Sequence, residues 1–236
     1  MDVLTSLIFF AYTPALILLW YFYHEDRLEP EPKRYVIATF LLGATLSVGV
    51  AFILEWLLTP RWGSVHYFLP GTIFYMALVA GVVEEPSKAL AILFPYHAGQ
   101  MDGIMDGVVY GVAAGLGFAA TENFLYGLGY GVNVTIMRAF LTPFAHGTWS
   151  AIVGVGYGLT SEGKADSAGS FLVTAMFLHF LWDYFAFLSS TIPAYNIILI
   201  LLLFVNVAIL RYLLILGKAE DESKRWYYAL KNTWRW

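Results

Sequence analysis

The sequence predicts an all-α polytopic membrane protein, a bundle of about seven transmembrane helices, and three observations carry that prediction. Apolar residues come in runs of about twenty, the length a helix needs to cross roughly 30 Å of hydrocarbon at ~1.5 Å per residue. Of 236 residues, 59% are hydrophobic and 13% charged, against about 25% charged in soluble chains, more apolar surface than a soluble fold can hide. Small residues recur every four positions inside the runs, a pattern that lets helix backbones approach closely in lipid.

The runs lie at about 3–23, 35–58, 67–94, 103–129, 135–159, 168–190 and 195–216. The first has no basic segment before it and no small-residue cleavage site, and reads as a retained span. Between the first two, Glu29-Pro30-Glu31-Pro32 cannot continue a helix and reads as a stiff turn. That connection carries Arg27, Lys33 and Arg34, the fifth carries Lys164, and the tail carries Lys218, Lys224, Arg225, Lys231 and Arg235. The opposite side has only Arg61 and Arg138 near span ends, so the positive-inside rule puts the N-terminus outside and the C-terminus in the cytoplasm. Residues 1–217 form one membrane domain. Residues 218–236 form a basic tail whose Trp226, Tyr227, Tyr228, Trp234 and Trp236 suit the headgroup level of the bilayer.

Composition also excludes whole classes of function. Without cysteine there is neither thiolate catalysis nor a Cys-ligated metal, and a net charge of -4 leaves no footprint for nucleic acid. What stands out is charge inside the spans, because each ionised side chain at a helix centre costs about 2.5 to 3.5 kcal/mol even on the lenient scale. The third span holds Glu84, Glu85 and Lys88. Glu84 and Lys88 share a helical face, Glu85 lies about 100° round, and Pro86 frees a carbonyl one turn earlier. One lysine cannot neutralise both glutamates, which argues against a merely structural ion pair.

The fourth span sets Gly103, Gly107, Gly111, Gly115, Ala119, Asn123 and Gly127 on one stripe, with Glu122 beside it and Phe118 one turn before. The fifth repeats the stripe with His146, Ser150, Gly154 and Gly158, and the sixth carries His179 and Asp183 four residues apart. Polar groups on small-residue stripes face protein, so these residues are expected to share a site. Asp102 and Asp106 read as helix N-terminal residues. Glu55, Arg61, Arg138 and Arg211, near span ends, are expected to snorkel to the interface.

Carboxylates and imidazoles in a desolvated pocket can activate water for attack on a carbonyl, with an imidazolium, lysine or asparagine amide as donor to the oxyanion. No serine stands in a nucleophile-elbow pattern. No His-Glu-x-x-His helix is present, so a zinc site would draw His146, His179 and one of Glu84, Glu85 or Glu122 from separate spans. A proton-coupled transporter would also gather such groups near the midplane, although no internal repeat is visible. A third reading is a catalytically inactive membrane scaffold.

In order, Glu84-Glu85-x-x-Lys88, Phe118-x-x-x-Glu122-Asn123, His146 and His179, each in its own span, resemble the PrsW family of intramembrane proteases, as do Asp102-Gly103-Ile104 and Tyr110-Gly111. The pattern is distantly similar to the CAAX prenyl endopeptidase superfamily, which carries a histidine where this chain has Glu122. The resemblance covers about residues 76–184. It implies a multi-pass protease of the cell membrane whose substrates are single-pass, membrane-anchored proteins of the anti-sigma-factor class, with Glu84 and Glu85 the essential pair. It further implies Glu84 or Glu85 as base for water, His146 and His179 as proton shuttle or oxyanion donors, Glu122 and Asn123 as orienting groups, and Lys88 holding the glutamates. Asp183 joins the set through His179. Glutamate/histidine catalysis without a metal is the favoured expectation; if a metal is used, zinc on His146, His179 and Glu122 is the expected arrangement.

Overall fold

A computed structural model describes residues 2–59 and 69–225. Arg61 and most of the aromatic tail lie outside the described residues. Among the described residues nine α-helices follow one another: α1 Val3–Glu25, α2 Lys33–Leu42, α3 Val48–Leu58, α4 Pro70–His97, α5 Ile104–Tyr130, α6 Val132–Ala139, α7 Thr142–Ser161, α8 Gly169–Ser189 and α9 Asn196–Ser223. A π-helical turn, Gly43–Ser47, joins α2 to α3 into one 26-residue rod. The described residues contain no strand.

Among the described residues five helical segments are long and apolar enough to cross a membrane: α1, the α2–α3 rod, α5, α8, and α9 with the turn before it. Two of the expected spans take another form. Helix α4 has the length, 28 residues, but carries Glu84, Glu85 and Lys88. The run expected at 135–159 is broken into α6 and α7 at Phe140-Leu141, just ahead of Pro143 in the first turn of α7, where proline is pre-organised to start a helix and not to continue one. Gly131, with φ of 93°, reverses the chain between α5 and α6, so α6 folds back along α5. Helix α9 runs past residue 217, where the tail was expected to begin, and Lys218 pairs with Glu25 of α1.

The core is built on α5, which is buried from Met105 to Ala120 while α1, α3 and α9 turn large apolar side chains outward. The small-residue stripe explains how so much backbone fits there. A Cβ on Gly107 would lie 2.6 Å from the Gly154 carbonyl, one on Gly111 2.3 Å from that of Ser150, and one on Gly115 2.3 Å from that of His146. The two stripes therefore meet in antiparallel register, 107 on 154, 111 on 150, 115 on 146. On another side of α5, a Cβ on Gly117 would meet the Phe40 carbonyl at 2.0 Å. Helix α4 packs on α8 in the same way, with Gly81 against the Met176 carbonyl. Dispersion contacts of this kind hold helices together where lipid removes the hydrophobic drive.

Candidate active site

The register that seats Gly115 on His146 brings α4, α5, α7 and α8 to a common point, and there the polar residues meet. Lys88 is 1% exposed. Its Nζ lies 2.6 Å from Glu85 Oε1, 3.3 Å from Glu84 Oε2 and 3.0 Å from His146 Nδ1. The ammonium also stands 4.5 Å from the Phe118 ring centroid, a cation–π contact strengthened by the absence of water. Phe118 stacks on His146 and so covers the lysine and the imidazole.

These contacts settle one tautomer by chemistry. An ammonium has donors only, so Lys88 donates to His146 Nδ1, and the ring carries its proton on Nε2, which lies 3.2 Å from Glu122 Oε2. Glu122 is held from its other side by Arg138 Nη2 at 2.8 Å. Arg138 Nε donates to Asn123 Oδ1 at 2.9 Å, and Thr142 Oγ1 donates to the same oxygen at 2.9 Å. The second histidine is clamped similarly. His179 Nδ1 faces Glu85 Oε1 at 2.8 Å, its Nε2 lies 3.5 Å from Asp183 Oδ2 and 3.7 Å from Glu84 Oε2, and Trp149 stacks on the ring at 4.3 Å.

All eight sequence-predicted residues thus belong to one chain of contacts, Asn123–Arg138–Glu122–His146–Lys88–Glu84/Glu85–His179–Asp183. Two residues expected at the interface are corrected by the structure. Arg138 does not snorkel, because α6 folds back along α5 and carries its guanidinium inward over the Tyr126 ring, 3.9 Å from the centroid. Glu55 does not snorkel either: the α2–α3 rod turns its carboxyl toward that of Glu84. A charge inside a span was the available signal for both. Asp106 does sit at a helix start, accepting from the Asp102 amide at 2.6 Å.

A groove of about 470 Å³ reaches this site between α3, α4, α5 and α8. Glu84, Glu122, Asp183 and Glu55 line it. Glu85 does not; it is fully buried, with one oxygen engaged by both Lys88 and His179. Glu84 Oε2 is buried and accepts no hydrogen bond. Of the two glutamates in the motif, Glu84 is the one that lines the groove.

The donor set for a metal was tested on the same geometry. Glu84, His146 and His179 each present a ligand atom, all within 4.8 Å of one another. Glu84 stands where the expected set had Glu122, whose carboxylate is taken by Arg138 and His146. Two imidazoles and one carboxylate form a recognised catalytic zinc set with an open position, and the orphaned Glu84 oxygen suits such an ion. The residues fit, although an ion here takes over the contacts Lys88 makes to His146 and Glu84.

Comparison with known proteins agrees with the resemblance in the motifs. Residues 31–210 match the PrsW-protease family, described as PrsW family intramembrane metalloprotease. Protease PrsW of Geobacillus kaustophilus is 32% identical over 184 residues, 76% of this chain and 79% of that protein. Protease PrsW of Bacillus subtilis is 31% identical over 60% of this chain and 62% of that protein, and the Clostridioides difficile protein 31% identical over 76% and 78%. No solved structure matches the chain.

Proposed function

Since the chain belongs to the PrsW family of intramembrane metalloproteases, we propose that it is an integral, multi-pass endopeptidase of the cell membrane that hydrolyses peptide bonds in single-pass, membrane-anchored proteins. The anti-sigma-factor class of substrate comes from the family resemblance. In this reading the α2–α3 rod, α4 and the α6–α7 pair cross the bilayer with α1, α5, α8 and α9, seven spans in all, with the N-terminus outside.

One observation carries the mechanism: of the two glutamates in the motif, Glu84 is the one that lines the groove, with the Lys88 ammonium 3.3 Å from its Oε2. In the metal-free form of the reaction, Glu84 takes the proton of a water whose oxygen attacks the peptide carbonyl. The proton then passes to the departing amine, leaving a carboxylic acid and an amine. His179, whose Nε2 lies 3.7 Å from Glu84 Oε2, supplies a donor where negative charge gathers on the carbonyl oxygen, and the Lys88 ammonium behind Glu84 lowers the cost of that charge. Glu85 holds Lys88 and His179 at 2.6 and 2.8 Å, and Glu122, itself fixed by Arg138, holds His146 in its Nε2-protonated tautomer. If a divalent ion is bound by Glu84, His146 and His179, it supplies Lewis acidity and a more acidic water.

The test uses wild type, Glu84→Gln, Glu85→Gln and His179→Ala, purified in detergent and incubated with a library of single-span membrane proteins, with and without a strong chelator. Cleavage by wild type alone is expected. Survival in chelator supports glutamate/histidine catalysis; loss that zinc restores assigns the histidines and Glu84 as ligands. No cleavage by folded wild type, with pH-dependent flux lost in Glu84→Gln, overturns the protease reading in favour of transport.

A further inference from the structure

The groove holds an imbalance of charge that the reaction alone does not explain. Among the described residues its lining contains four carboxylates and no lysine, arginine or histidine. Three of the four have a cation or imidazole behind them: Glu84 has Lys88 at 3.3 Å, Glu122 has Arg138 at 2.8 Å, and Asp183 has His179 at 3.5 Å. Glu55 forms no ion pair among the described residues. Its Oε1 is shielded from solvent without a hydrogen bond, and its carboxyl meets that of Glu84 through a side-chain hydrogen bond.

Two carboxyls that meet at membrane depth, with no cation on Glu55 among the described residues, leave a place that a cationic third partner can fill. The rest of the groove says what kind of partner fits. Phe52, Leu125, Tyr126, Tyr130 and Phe187 give it apolar and aromatic walls, suited to the side chains of an extended peptide, with the acidic end beside the proposed base. We infer that the groove selects substrates carrying a lysine or arginine close to the scissile bond, and that Glu55 is the residue that pairs with it. This rests on the peptidase reading above and adds the substrate class. In an extended chain successive residues advance about 3.3 Å, so a long basic side chain bound to Glu55, next to Glu84, belongs within about two residues of the bond cut.

Occupancy and cleavage are measured separately. For occupancy, the full-length chain with Glu85→Gln carries photoreactive benzoylphenylalanine in place of Phe52. It is irradiated with three synthetic single-span peptides differing only in Lys, Gln or Glu at one juxtamembrane position. A charge-assisted contact in a desolvated groove corresponds to roughly tenfold stronger labelling by the Lys peptide than by the Gln peptide. Glu55→Gln is expected to bring the two to the same level, and Glu55→Lys to favour the Glu peptide. Equal labelling by Lys and Gln peptides, a preference that survives Glu55→Gln, or no labelling of any peptide each overturns the inference. For cleavage, the same peptides are given to the chain with Glu85 intact. Cleavage without basic preference leaves the peptidase standing and removes Glu55 as its selector; charge-selective labelling without cleavage keeps the groove and removes the peptidase.

Discussion

Two buried clusters of acids in this protein solve the same electrostatic problem in opposite ways. At the active site each glutamate of the Glu-Glu motif is matched by a cation or imidazole supplied from within α4 or from α8. At the end of the bundle that holds the α1–α2 connection, Asp26, Glu31, Asp106 and Asp221 are also buried, but they face one another. Asp26 accepts from the Glu31 amide at 3.1 Å, and Tyr110 donates to Glu31 Oε2 at 2.5 Å. Burial, reinforced by Asp106, pushes the Glu31 carboxyl well above the usual range; burial with Asp106 and Asp221 pushes Asp26 up to about 8. One cluster keeps charges by pairing them, the other keeps protons. The difference teaches that burial of an acid is not by itself a sign of function: only the first cluster lines a groove with imidazoles and an ammonium beside it.

The largest effect expected from this contrast is on catalysis. Glu85→Gln preserves shape but removes the charge that holds Lys88 and His179, and cleavage of a tethered single-span reporter should fall about 10³-fold. Glu31→Gln, equally buried, should leave the rate within about threefold. A comparable loss in both would break the distinction between the clusters.

The acid cluster should reveal itself in stability instead. Asp26 is raised to about 8 from an ordinary 3.8, so the folded state holds its proton more tightly than the unfolded chain. Its stabilising contribution is complete below about pH 4 and is lost at up to about 1.4 kcal/mol per pH unit as pH rises toward 8. Asp26→Asn removes that slope. Thermal unfolding in detergent should show the variant equal to wild type near pH 4 and more stable at pH 8; a variant less stable at pH 8 would show that the carboxylate is paired after all.

Arg138 tests how far pairing at the active site depends on geometry. Arg138→Gln leaves Glu122 a buried charge with only a neutral imidazole beside it, a loss of about 3 kcal/mol. Arg138→Lys should recover little, since an ammonium cannot span Glu122 and Asn123 as the guanidinium fork does. Full recovery by lysine in the unfolding midpoint would reduce Arg138 to a point charge.

Arg138 and Glu55 also mark where the sequence stopped being readable. The Glu84-Glu85-x-x-Lys88 spacing, the stripes of α5 and α7 and the His179–Asp183 pair follow from helical periodicity, which a single strand of letters carries. Whether an arginine near a span end reaches water or turns inward depends on the path of the backbone around it. Here that path is set by the fold-back of α6 at Gly131 and the break before Pro143, and neither is a periodic signal. The same holds for Glu55, whose direction follows from the π-helical turn at Gly43–Ser47 packed against α5, where a Cβ on Gly43 would lie 2.3 Å from the Ala114 carbonyl.

The stripe itself joins the two clusters, because α5 carries Asp106 and Tyr110 toward one end and Glu122 and Asn123 toward the other. A Cβ on Gly111 would sit 2.3 Å from the Ser150 carbonyl, a backbone atom that cannot step aside. Gly111→Ala must therefore push α5 from α7, at about 2 kcal/mol for overpacking of this kind. Since the proposed mechanism sets His146 of α7 beside Lys88 of α4, activity should fall together with stability. Gly129→Ala, at a position where an added Cβ meets nothing within 4 Å, should change neither measurably. If Gly111→Ala lowered the unfolding midpoint but left cleavage intact, the catalytic register would be held by the polar chain from Asn123 to Asp183 and not by the stripe beneath it.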